Sequence, residues 1–162
     1  MANEDDKRDS EERKRKEFLD SLNKRDLEQT KRLLLSGTYI DVPLNAVGWT
    51  ALHVAVENYY VDLALLLLEH GADPSRRDFS GVTPLHLAID VEADSASQQA
   101  PVEYGKRNVP TRDMTVLLLE HGADRNARTE KEETPMDWAV KCRHQGAIDA
   151  MIAHGAPHPD KQ

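Results

Sequence analysis

Apolar residues along this 162-residue chain recur at helical spacing in short blocks, separated by polar or glycine-containing turns. Phe18, Leu19 and Leu22 precede a polar turn at Asn23 to Arg25, and Leu27, Leu33 and Leu34 follow it. The alternation returns as Leu52, Ala55 and Val56 followed by Leu63, Leu66 and Leu67. It returns again as Leu85, Ala88 and Ile89 followed by Met114, Leu117 and Leu118. Spacings of three and four residues put each set on one helix face, so the pattern predicts paired amphipathic helices in an all-α architecture. Gly48 and Gly81 allow a tight turn ahead of the first helix of a pair, and Gly71 and Gly122 suit a left-handed cap after the second. A final block, Ala147, Ala150 and Met151, offers smaller side chains and less apolar area per turn.

The blocks also repeat in wording. Thr50 to Val56 (TALHVAV) recurs as Thr83 to Ile89 (TPLHLAI), and Leu65 to Asp73 (LLLLEHGAD) as Val116 to Asp124 (VLLLEHGAD). His53 and His86 stand 33 residues apart, as do His121 and His154, whereas the two HGAD segments are 51 apart, so one unit carries 18 extra residues. This period and wording resemble the ankyrin repeat, a hairpin-like turn followed by two antiparallel helices. The resemblance covers roughly Asp20 to Ala156 and implies a solenoid of about four repeats, at 11–44, 45–77, 78–128 and 129–156, in one domain spanning 11–156. Residues 1–10 are expected to form a frayed N-terminal tail, because Met1 to Lys16 holds six acids and six bases with only Met1 and Ala2 apolar. Residues 157–162 form a C-terminal tail. The first and last units read as caps. In the last, Glu132 stands where Gly48 and Gly81 stood and Asp137 replaces the motif histidine.

Aligning Asp62 with Asp113 places the 18-residue insertion in the third repeat, within about Val91 to Thr111. An extension of the preceding helix through Asp90 to Ala96 is expected. Loops of this length are usually functional or disordered, so the insertion reads either as a partner-contacting element or as a tolerated solvent-facing loop. The family resemblance implies recognition through the hairpin tips and the exposed side of each first helix. Carried onto this chain, it marks Trp49, Glu57, Asn58, Arg77, Phe79, Val82, Asp90, Arg128 and Lys131 as candidate partner-binding residues, with Tyr104 from the insertion. Trp49 and Phe79 read as aromatic anchors, or as rings that cover apolar surface on their own hairpins. Asp90, Glu92 and Asp94 read as an acidic edge facing a basic partner, or as a solvated helix end.

Composition narrows the function. The net charge of −8 opposes attraction to nucleic-acid phosphates and favours a basic protein partner. The longest apolar run, Leu63 to Leu68, is too short to cross a bilayer. The opening residues contain no apolar stretch typical of a secretory signal, and the single cysteine, Cys142, suits a reducing compartment, so a cytoplasmic protein is expected. Five of the seven histidines fall at repeated positions, a repeat height apart, and are poorly placed to share one ion. Asp90, Glu92 and Asp94 lack the glycine and closing acid of a calcium loop, and no catalytic motif is recognisable. No metal, cofactor or catalytic residue is expected. The sequence thus points to a non-catalytic protein-binding module, monomeric on its own, resembling small stand-alone bacterial inhibitor or immunity proteins. A scaffold or regulatory adaptor bridging two proteins is the alternative.

Overall fold

The computed structural model of the chain describes residues 4–36, 40–97 and 113–159. Among them are eight α-helices: α1 (Glu4–Asn23), α2 (Leu27–Leu35), α3 (Ala51–Glu57), α4 (Val61–Glu69), α5 (Pro84–Ser97), α6 (Met114–Glu120), α7 (Pro135–Lys141) and α8 (Gln145–Ala153). They pack in consecutive pairs, α1 on α2 through α7 on α8. The first helices stack as α1, α3, α5 and α7, while α2 meets α4 and α6 meets α8 along the outer row. No helix among the described residues is long and apolar enough to span a membrane.

One continuous core runs through the stack. Phe18 and Leu22, Leu52 with Leu63 and Leu67, Leu85 and Ile89 with Met114, Leu117 and Leu118, and Met151 are all fully buried. Each such side chain contributes about 1.5–3 kcal/mol relative to exposure. Two faces are rotated slightly from the expected ones. Leu68 is buried where Leu66 is only partly so, and Ile148 is buried where Ala150 is only partly so.

Local chemistry fixes the helix ends. Asp26 accepts a hydrogen bond from Gln29 N (3.0 Å) and so caps α2. Thr50 and Thr83 open α3 and α5, each paired with a histidine three residues on. After α4, Gly71 adopts a φ of +90° and lets Ala72 N donate to Leu67 O (3.0 Å), which satisfies a carbonyl the helix would otherwise leave open.

Helix α1 takes in part of the expected N-terminal tail. Helix α1 begins at Glu4, so residues 4–10, read as a frayed tail, continue the helix. Residues 8–17 are exposed throughout. Glu, Lys and Arg are good helix formers, and a helix already anchored by Phe18 and Leu22 propagates outward at little cost. Helix α5 runs to Ser97 and so extends past the seven residues of α3 and α7, in line with the expected lengthening through Ala96. Most of the proposed insertion, residues 98–111, lies outside the described residues.

Candidate functional site

Three hairpins precede α3, α5 and α7, and each is closed by a side chain at its first residue. The Asn45 side-chain oxygen accepts from Val47 N (3.2 Å) and Trp49 N (3.0 Å). Asp78 Oδ1 accepts from Ser80 N (2.8 Å) and Val82 N (2.9 Å), and Thr129 Oγ1 accepts from Lys131 N (3.3 Å) and Glu133 N (3.4 Å). These bonds mimic a backbone turn and pre-form the tips. Neighbouring tips are then laced together: Phe79 N donates to Val47 O (3.0 Å) and Glu130 N to Ser80 O (2.8 Å).

The motif histidines tie hairpin to helix. In His53, Nδ1 lies 2.9 Å from Thr50 Oγ1 and Nε2 lies 3.2 Å from Val82 O of the next hairpin. His86 repeats this with Thr83 Oγ1 at 2.9 Å and Glu133 O at 3.3 Å. Burial pushes both imidazoles below the ordinary histidine value, the bonded carbonyl only partly offsetting it. Both ring nitrogens of each residue are therefore committed to the architecture. Asp137 keeps the local half of the device: its Oδ2 accepts from Thr134 N (2.8 Å) and Thr134 Oγ1 (2.7 Å). A carboxylate has no second ring nitrogen to reach a neighbouring hairpin, so only the local bonds remain.

The expected surface residues fall into three groups. At the tips, Phe79 is 65% exposed and Val47 51% exposed. The Phe79 ring lies directly over Gly48, where a Cβ would approach it to 2.8 Å. Trp49 and Val82 are only partly exposed and pack against the core. Along the inner helices, Glu57, Asn58 and Asp90 are exposed, and Arg77, Arg128 and Lys131 are exposed around the hairpins before α5 and α7. There Arg77 donates to Arg128 O, and Arg128 donates to Glu132 O (2.9 Å). The third group is Glu92, Asp94 and Tyr104. Asp94, whose backbone belongs to α5, and Tyr104 fall outside the described side chains.

Glu92, expected on an acidic edge, is 8% exposed. Its carboxylate turns inward because donors await it there: Thr115 N (3.1 Å), Thr115 Oγ1 (2.7 Å) and Tyr59 OH (3.3 Å). Trp138 belongs beside the surface although its sequence context did not mark it. It meets His86 edge to face at 5.1 Å and donates through Nε1 to Glu133 Oε2 (3.0 Å), while Lys141 pairs with Glu133 Oε1. A tryptophan one place after the histidine position, where Val54 and Leu87 stand in earlier repeats, was the available signal.

Comparison with known proteins accords with this geometry. A family profile described as ankyrin repeats (three copies) matches residues 19–97, and one described as a single ankyrin repeat matches 80–130. An inactive serine/threonine-protein kinase of Bos taurus is 33% identical over 112 residues, 69% of this chain and 6% of its own. An ankyrin repeat protein of Fowlpox virus is 32% identical over 126 residues, 75% of this chain and 32% of its own. The human protein phosphatase 1 regulatory subunit 27 is 32% identical over 120 residues, 74% of this chain and 66% of its own. The chain thus spans less than a third of the kinase relative and about a third of the viral one.

Proposed function

The chain belongs to the ankyrin-repeat family, whose repeats are protein–protein interaction modules, and from this premise we propose that it grips a single folded partner across its hairpin tips and inner helices. The reading rests on one observation above the others: the exposed Phe79 and Val47 sit side by side on rigid, laced tips. A pre-formed apolar patch loses little conformational entropy on binding, and aromatic residues are enriched among those that dominate interface energy. Glu57 and Asp90 on the inner helices, with a net charge of −8, complement a basic partner. The module acts without catalysis as a cytoplasmic monomer and blocks its partner as an inhibitor or immunity protein does.

The test is capture from native cell lysate with the intact protein and with Phe79→Ala, Val47→Ser and a Glu57→Lys/Asp90→Lys pair. We expect one basic protein in one-to-one stoichiometry, lost at least tenfold by the tip substitutions, with the melting temperature nearly unchanged. Undiminished capture by the tip variants would overturn the reading. A second reading, a regulatory adaptor, is favoured by the similarity to a protein phosphatase 1 regulatory subunit. It requires a ternary complex, which the same capture experiment, followed by native mass spectrometry, distinguishes from a binary one.

A further inference from the structure

Glu92 is a buried charged residue that the recognition surface does not use. It stands on the part of α5 that runs beyond the length of α3 and α7. Helix α6 begins without help from its own N-cap, since the Asp113 side chain makes no capping bond. The Glu92 carboxylate replaces it by accepting from the Thr115 backbone and hydroxyl, 23 residues along the chain. With the Tyr59 hydroxyl, these donors are all neutral. Among the described residues, the group facing the carboxylate that can carry positive charge is His144, whose Nε2 lies 3.4 Å from Oε2, within ion-pair distance. One carboxylate thus joins Tyr59 of the second repeat, Thr115 of the third and His144 of the fourth.

The fourth repeat needs such a contact. Helix α8 buries Ala147, Ile148 and Met151, where α4 buries Leu63, Ala64, Leu67 and Leu68. With less apolar area buried there, the docking of the fourth repeat on the third leans more on polar contacts between the two. A buried carboxylate, conversely, is costly unless a charge or full hydrogen bonding offsets its lost hydration. A proton on His144 answers both requirements.

We propose that Glu92 and His144 form a proton-operated clasp that fastens the fourth repeat to the third, closing as the imidazole gains its second proton and loosening as it loses it. The groups around His144 set the direction. Hydrogen bonding and charge attraction to Glu92 from α5 favour the imidazolium most, burial disfavours it, and Asp113 at the start of α6 adds a smaller push toward it. Its own helix opposes it as well. His144 is the N-cap of α8, and its Nδ1 accepts from Ala147 N (3.2 Å), a bond that a protonated Nδ1 cannot keep. Arg143 beside it in sequence is exposed. The balance lies with the carboxylates, which lift His144 above the ordinary value of 6.5. A folded-state value raised in this way contributes stability that is full below about 6.5 and is lost as pH rises through the raised value. The clasp therefore holds at mildly acidic pH and weakens toward alkaline pH. Because Lys131 and Lys141 ride on the fourth repeat, their register with the rest of the surface follows the same proton.

Two readings on the full-length protein test this: the NMR titration of the His144 ring, and amide exchange over Ala147 to Ile152 at pH 6 and pH 8, corrected for intrinsic rates. We expect a His144 midpoint above 6.5 and at least threefold greater protection of α8 at pH 6. Glu92→Gln should bring the midpoint to 6.5 or below and erase the pH dependence. Glu92→Gln also disturbs the α6 cap, so His144→Asn serves as the second variant: it retains an N-capping side chain and leaves Glu92 with its neutral donors, yet should abolish the pH dependence of α8 alone. A wild-type midpoint at or below 6.5, a midpoint unmoved by Glu92→Gln, or α8 protection that is flat or rises toward pH 8 overturns the proposal.

Discussion

Glu132 holds a φ of +61° at the turn position where Gly48 and Gly81 adopt +90° and +79°. A side chain in the left-handed region crowds its own carbonyl, at a cost of roughly 1–2 kcal/mol, which glycine avoids. The Glu132 carboxylate makes one exposed contact, with Arg128 at 3.7 Å, and an exposed pair of that kind contributes little. Its carbonyl, which accepts from Arg128, survives any substitution. Glu132→Gly should therefore raise the unfolding free energy by about 1 kcal/mol, part of the relief being returned to the greater freedom of an unfolded glycine. Urea titration at neutral pH checks this; an unchanged or lower midpoint would mean that the turn is not strained. The residue scale also explains the fourth repeat's altered motif. Asp137 performs the local capping that histidine performs at positions 53 and 86, without the second ring nitrogen that there reaches the next hairpin.

At the scale of the element, the hairpin and the first helix of the next pair act as one unit because a buried neutral imidazole bridges them. Burial holds His53 and His86 below 6.5 in the folded state. Their contribution is therefore present above 6.5 and is lost as pH falls through the depressed values, the opposite sense to His144. Lowering pH from 7.5 to 5 should loosen the hairpins before α3 and α5 while α8 tightens, and exchange rates of the Trp49 and Val82 amides against those of α8 would reveal the divergence. Parallel changes in both regions would contradict it. These hairpins were legible in the sequence because their determinants are local: Thr50 and His53, Thr83 and His86, and the turn residues between. Glu92 was not legible. Its neighbours Asp90 and Asp94 suggest a solvated edge, while the residues that bury it, Tyr59, Thr115 and His144, sit in three different repeats, the last of them in the least regular unit. Phe79 was visible as a candidate anchor, but only packing separates its exposed ring from that of Trp49, which leans on the core.

For the whole molecule, a stack with neighbour-only contacts has stability that is a sum of repeat and interface contributions, so it need not unfold all at once. The middle is dense: Leu52, Leu63, Leu67, Leu85, Ile89, Met114, Leu117 and Leu118 are fully buried there. The C-terminal repeat offers Met151 as its large fully buried side chain, with Ala139 and Ala147 beside it. The core gradient predicts that α7 and α8 open first, in a sub-global event of lower free energy than global unfolding. Truncating a buried leucine or methionine costs about 2–5 kcal/mol in both places, but the consequences differ. Leu67→Ala should lower the main urea midpoint, because the second repeat is held on both sides and fails only with the whole. Met151→Ala should leave that midpoint nearly in place, accelerate exchange over α7 and α8, and split off an earlier transition in tryptophan fluorescence through Trp138. Trp49, in the second repeat, provides the internal comparison when Trp138 is replaced by Phe. If the two substitutions shift one shared transition by equal amounts, the repeats unfold as a single cooperative block. The fourth repeat would then be an integral part of the fold, with no range of pH over which the clasp alone decides whether it stays docked.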